Sequence, residues 1–238
     1  MAESTKQTQQ AESQAVNTMP MQCTLARPVT FSGKGLLTGK DVDVLIEPAP
    51  AGEGIVFERT DIEPNVTIPA LVSNTTSRAR RTTLISGDIT VETIEHIMSA
   101  LSGLGIDNAT IRIDGPEVPC GDGSALPFTE QILKVGTVEQ DLPRRFISVT
   151  EPICLQDGNA MIAAFPSHQK GLHVVYDLDY EKEGSRIARQ TQGWNSETGS
   201  YSTDVAPART FSLQEEAQAL QSQGLCTHLS PSDILVIG

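Results

Sequence analysis

From Cys23 onward, apolar and polar residues alternate in short runs: Leu25 to Phe31, Asp41 to Ile46 and Gly54 to Arg59, each bounded by Gly or Pro. Alternation with period two predicts antiparallel strands with one buried face. The spacing changes at Val91 to Leu104, where Ile94, Ile97, Met98, Leu101 and Leu104 recur at helical intervals. That pattern predicts a helix with one apolar stripe. A strand at Ala109 to Ile113, a turn rich in Gly and Pro over Gly115 to Gly123, and a helix from Ala125 to Val135 follow. Glu139 to Arg145 is polar and carries a proline, so a domain boundary is placed there. Beyond it come strands at Ile147 to Leu155, Ala160 to Phe165 and Leu172 to Tyr180, then a polar, glycine-containing stretch from Glu181 to Ser200. Ser212-Leu-Gln-Glu215 has the capping-box spacing and predicts a helix ending near Gly224. The last apolar run, Ile234 to Ile237, reads as a strand begun just before the sequence stops, so the second domain is expected to be incomplete.

The first 21 residues are rich in Gln, Ser, Thr and Ala and lack apolar periodicity, the composition of a disordered tail. The expected organisation is therefore a tail over 1–21, a first domain over 22–143 and a second over 144–238. Seventeen Lys and Arg against 30 Asp and Glu give a net charge of −13, which argues against general affinity for nucleic-acid backbones. No apolar run approaches the roughly 20 residues of a transmembrane helix, and no apolar signal-peptide core precedes the domains. A cytoplasmic protein is expected. Cys23, Cys120, Cys154 and Cys226 are too scattered for a Cys-x-x-Cys site and read as free thiols.

Chemistry enters at Glu95-His96. On a helix, adjacent side chains diverge by about 100°, so the imidazole can ligate a metal while the carboxylate reaches a metal-bound water. His96 shares its helix face with the small residues Ser99, Ala100 and Gly103, which leaves room for something to approach. Taken alone, a Glu-His pair is more often a structural or surface feature. The His-Glu-x-x-His protease motif is excluded, because Glu precedes His and position 100 is Ala. His168, His173 and His228 show no ligand spacing to a carboxylate, and surface or capping roles suit them better. Ser32 to Lys40 lacks the spacing of a phosphate loop and reads as a turn. Arg78, Arg80 and Arg81 form a concentrated positive patch suited to phosphate, although a solvated loop is the commoner role. The turn Asp114 to Ala125 is too elaborate for a simple connection.

Four segments in order resemble one family: Gly35-Leu-Leu-Thr-Gly-Lys40; Thr93-Ile-Glu-His96 with Ala100-Leu-Ser-Gly-Leu-Gly-Ile-Asp-Asn108; Glu117-Val-Pro-Cys-Gly-Asp-Gly-Ser-Ala125; and Ala208-Arg-Thr-Phe211 with Gly224-Leu-Cys226. Over residues 22 to 238 the chain is similar to the UDP-3-O-acyl-N-acetylglucosamine deacetylases, zinc enzymes of lipid A biosynthesis. The resemblance implies an α+β fold of two similar two-layer sheet/helix domains packed around an inter-domain active site. It makes Glu95 the general base, His96 the first Zn2+ ligand and Thr210 the oxyanion donor. Tyr180 and Phe211 would meet the substrate, Leu213 and Ala217 would line the acyl-chain passage, and Arg80 and Arg81 would lie at the site's mouth.

The chain departs from the family at Leu37, where a histidine is common, and at Arg81, where some members have cysteine. The family's remaining zinc ligands, a His-x-x-x-Asp pair, and a further acid histidine fall beyond the position matching Gly238. The expected function is thus zinc-dependent removal of the N-acetyl group from UDP-3-O-acyl-N-acetylglucosamine, by a monomer, with this fragment itself inactive. Two rivals stay open: a non-catalytic module binding UDP-sugar or acyl chain, and a structural α+β domain in which Glu95-His96 is incidental.

Overall fold

The computed structural model describes residues 19–180 and 187–238. The strands are β1 (Met21–Leu25), β2 (Val29–Lys34), β3 (Asp41–Pro48), β4 (Ile55–Arg59), β5 (Val66–Pro69), β6 (Thr75–Thr76), β7 (Thr83–Ser86) and β8 (Ile89–Glu92). Helix α1 (Glu95–Gly103), β9 (Ala109–Ile113), helix α2 (Leu126–Val135) and β10 (Thr137–Pro143) complete the first part. The second part holds β11 (Ile153–Asp157), β12 (Ala160–Ala164), β13 (His173–Leu178), β14 (Gln190–Asn195), β15 (Phe211–Leu213), helix α3 (Gln214–Ser222) and β16 (Leu235–Ile237).

The main sheet has the order β2-β3-β9-β4-β5, antiparallel except for the β4-β9 pair. Its register stacks Ile46 beside Ile111 and Ile111 beside Phe57, and all three are buried. Alternation dictates this face: in β3, Val42, Val44 and Ile46 point in while Asp41 and Asp43 point out. Ile97 and Leu101 of α1 and Phe128 and Ile132 of α2 join the same core. The α+β class expected from the sequence is observed.

Several boundaries differ from the sequence reading, each for a physical reason. The helix expected from Val91 begins only at Glu95, because Ile89–Glu92 pairs with β7 and Thr93 turns the chain with φ 58°. The segment read as a linker contains β10, which pairs with β1, Cys23 opposite Glu139. Met21, expected in the tail, already belongs to β1, and the Pro20 carbonyl accepts the Arg144 amide at 2.8 Å. Residues 1–18 of the expected tail lie outside the described residues, as do 181–186 of the polar stretch, whose later part forms β14. At α3 the cap moves by one residue: Glu216, not Glu215, reaches back to the amide of Leu213 at 3.0 Å. Ser212 lies one position too early to cap, and its hydroxyl turns to the Leu213 carbonyl instead.

Beyond residue 143 the described residues form two exposed hairpins, β11-β12 and β13-β14, and a parallel β15-β16 pair beside α3. Leu155, Met161, Ile162, Val175 and Tyr176 of the hairpins face outward. This part docks on the first through Tyr201, whose ring lies against Gly103 and whose hydroxyl meets Ser99 Oγ at 2.7 Å. The small-residue face of α1 that the sequence left open is thus occupied by Tyr201. The four cysteines are free, as expected. No helix among the described residues is long and apolar enough to cross a membrane.

Candidate active site

A nine-residue helix such as α1 is shorter than the roughly 12–15 residues an isolated helix needs in water. No side chain caps its N-terminus. Packing decides the matter: deleting a buried side chain such as Ile97 or Leu101 costs about 2–5 kcal/mol, against about 1 kcal/mol for a cap. The helix start is thereby fixed, and Glu95 sits in its first turn, where a carboxylate meets the positive end of the helix dipole. Glu95 Oε2 accepts the backbone N–H of Thr82 at 3.0 Å.

His96 follows, half-buried. Burial holds its imidazole below the ordinary value of 6.5, against the opposing pull of the Glu95 and Asp122 carboxylates. At neutral pH it is therefore an uncharged ring, the form that ligates metals.

The glycine-rich turn after β9 supplies the next wall. Asp122 Oδ1 accepts the backbone N–H and the hydroxyl of Ser124, at 3.0 and 2.6 Å. Arg209 Nε donates to the Asp122 carbonyl and Thr210 N to the Gly123 carbonyl, the latter at 2.7 Å. Gly123, at φ 81°, has no room for a side chain: a Cβ would lie 2.5 Å from the Asp233 carbonyl oxygen. Thr210 is thus fixed by its backbone between this turn and the Leu235 amide. Its hydroxyl makes no hydrogen bond within the described residues.

Tyr180 and Phe211 meet edge to face, with ring centroids 5.9 Å apart. Arg80, at φ 62°, forms an ion pair with Glu216 of α3, whose hydrogen bond holds the guanidinium above its ordinary value. That guanidinium holds the Glu216 carboxyl down to about 2. Arg81 pairs instead with Glu92 at 2.6 Å. Both arginines thus engage carboxylates. Beside them α3, β16 and the 224–234 loop enclose an apolar cleft of about 110 Å³, bounded by Ala217, Leu220, Cys226, Leu229 and Ile234. Ala217 and Ser212 line it, and Leu213 is not among its lining residues.

The structure therefore gathers Tyr180, Phe211 and Arg80 at α3, and places Glu95 and His96 at the start of α1. Glu117, Asp122, Arg209 and Tyr201 were assigned no role from the sequence. For Glu117, Asp122 and Arg209 the signal was the overlong Asp114 to Ala125 turn, which is tied to Leu37 and to Arg209 80 and 87 residues away along the chain; Tyr201 had none. His96 suits a metal ligand, but a catalytic zinc takes three protein ligands, and no group of three His, Cys, Asp or Glu able to hold a metal is found among the described residues.

A family model described as UDP-3-O-acyl N-acetylglycosamine deacetylase matches residues 22–238. A UDP-3-O-acyl-N-acetylglucosamine deacetylase of Cellvibrio japonicus is 39% identical over 220 residues, covering 92% of this chain and 72% of the relative. Proteins of the same name from Geobacter sp. strain M21 and Thermosynechococcus vestitus are 40% and 41% identical, covering 92% and 90% of this chain and 71% and 73% of their own lengths.

Proposed function

The chain belongs to the UDP-3-O-acyl N-acetylglycosamine deacetylase family, a family of hydrolases, and from that premise we propose that its encoded reaction is hydrolysis of the N-acetyl group of UDP-3-O-acyl-N-acetylglucosamine in lipid A synthesis. The observation that carries this reading is the fixed Glu95 carboxylate beside a neutral, half-buried His96. In the proposed chemistry Glu95 takes a proton from the water that attacks the acetamide carbonyl carbon. Thr210 donates its hydroxyl, unengaged among the described residues, to the oxyanion. Collapse breaks the C–N bond as Glu95 returns that proton to the leaving nitrogen, and the acid proton of the product ends on the amine, so that acetate and the protonated amine leave.

His96 is the proposed zinc ligand of this chain. A bound zinc would lower the pKa of an attacking water. The described residues do not assemble the three protein ligands that a catalytic zinc takes, and the chain by itself is proposed to be inactive. Tyr180, Phe211, Arg80 and Arg81 are proposed to meet the sugar nucleotide, and Leu213 and Ala217 the acyl chain. The proposed setting is a cytoplasmic monomer divided at residues 143 and 144, with the reactive site between its two parts.

A second reading, a module that binds the acylated sugar nucleotide without cleaving it, is favoured by the apolar cleft along α3. Isothermal titration with UDP-3-O-acyl-N-acetylglucosamine, coupled to an assay for released acetate, tests both. Saturable binding weakened at least tenfold by Ala217→Trp, without turnover, is the expected result. Absence of binding would sink both readings, and acetate release that persists in Glu95→Gln would remove Glu95 as the base.

A further inference from the structure

Glu117 is fully buried, and among the described residues it has no basic partner. A carboxylate taken from water at such a place must be met by hydrogen bonds. Four donors meet it: Leu37 N at 2.8 Å and Thr93 Oγ1 at 3.1 Å on one oxygen, Thr38 N at 2.9 Å and Thr38 Oγ1 at 2.7 Å on the other. The fit is tight, because a Cβ at Gly35 would come within 2.4 Å of Oε2. The loop at 35–40 therefore closes around this carboxylate.

Thr93 is the second point. It is buried and sits at φ 58°, a conformation that is an outlier for a β-branched residue. Such a backbone persists only where the surroundings over-determine it. Here the Glu117 carboxylate holds the Thr93 hydroxyl, and the neighbouring backbone is locked: Glu92 N donates to the Pro116 carbonyl at 2.8 Å and Val118 N to the Glu92 carbonyl at 3.0 Å. Two residues further on, Glu95 and His96 open α1. The same loop receives the second part of the chain, through Cys226 N on the Leu37 carbonyl at 3.2 Å and His228 packed against Gly39.

We propose that Glu117 is a positioning residue that holds Thr93 in its left-handed conformation and so sets the direction in which α1 presents Glu95 and His96, while registering the 35–40 loop against them. Its purpose rests on the proposed role of Glu95 and His96, but its geometry does not. Removing the acceptor frees a strained turn at the base of α1. Glycine adopts that φ without a clamp, so a glycine at position 93 makes α1 independent of Glu117.

The test is residue-resolved amide hydrogen exchange by NMR on the full chain, for wild type, Glu117→Gln, Thr93→Gly and the double variant. Glu117→Gln is expected to speed exchange at Leu37, Thr38 and Met98 at least tenfold and to shift the Glu95 to Ile97 amide resonances, leaving Ile111 of the sheet unchanged. In the double variant α1 returns to wild-type behaviour while Leu37 and Thr38 stay fast. Thr93→Val, which keeps the β-branch and removes only the hydroxyl, is expected to loosen α1 alone, and serves if Glu117→Gln does not fold. A uniform change across α1 and the sheet, an α1 untouched by Thr93→Val, or no recovery in the double variant overturns the proposal. Failure of substrate binding with the expected exchange pattern would refute the functional reading and leave the positioning role standing; binding without the pattern would do the reverse.

Discussion

At the scale of single residues, His96 carries a stability signature that needs no metal to observe. Its pKa is lowered by burial below the ordinary value of 6.5, so the folded chain binds fewer protons there than the unfolded chain. That contribution is fully present above pH 6.5 and is lost as pH falls below it. Urea unfolding of wild type and His96→Gln from pH 8 to pH 5 should therefore show the wild type losing stability relative to the variant as the solution is acidified. A difference that does not vary with pH would mean that His96 is solvated. Glu95 and His96 were legible in the sequence because they are adjacent, and ordered motifs surround them. Glu117 and Asp122 stood in one of those motifs, yet their roles were hidden. A buried carboxylate is recognisable only by its donors, and those of Glu117 lie 24, 79 and 80 residues away.

At the scale of elements, the periodicity gave α1, α2 and strands β3, β4 and β9 of the main sheet; it merged the end of β1 with the start of β2 and missed the four-residue β5, too short to show a repeat. It missed where α1 starts, because a left-handed threonine leaves no mark in a hydrophobic pattern. It also missed what covers the small-residue face. Gly103 allows the Tyr201 ring to close on α1, and a Cβ there would lie 2.3 Å from ring carbons. Alanine in place of glycine favours a helix by up to about 1 kcal/mol, whereas overpacking costs about 1–3 kcal/mol. The clash should win. Gly103→Ala is expected to lower the unfolding free energy by about 1–2 kcal/mol, and in a Tyr201→Ala background to become neutral or stabilising. Equal destabilisation in both backgrounds, read from denaturant midpoints, would show that Tyr201 is not the obstacle. The capping box of α3 was legible as a type and wrong by one position, since Glu215 and Glu216 are indistinguishable until the helix start is seen.

At the scale of the whole molecule, residues 22–143 build a core and the later residues lean on it. Ala206 and Tyr201 are the points at which the second part joins that core. Between them, Thr210 and Arg209 dock on the Asp122 turn, and Cys226 on the 35–40 loop, so the chain is tied together around the segments that precede and follow α1. The hairpins beyond residue 143 expose apolar side chains that alternation alone would have buried, because alternation reports a face and not its partner. In the proposed function this arrangement offers zinc one protein ligand, His96, beside the base Glu95. Titration of the full chain with Zn2+ at neutral pH, against His96→Ala, tests it most directly. Weak binding that His96→Ala abolishes is the predicted result; tight, stoichiometric zinc that survives His96→Ala would contradict it.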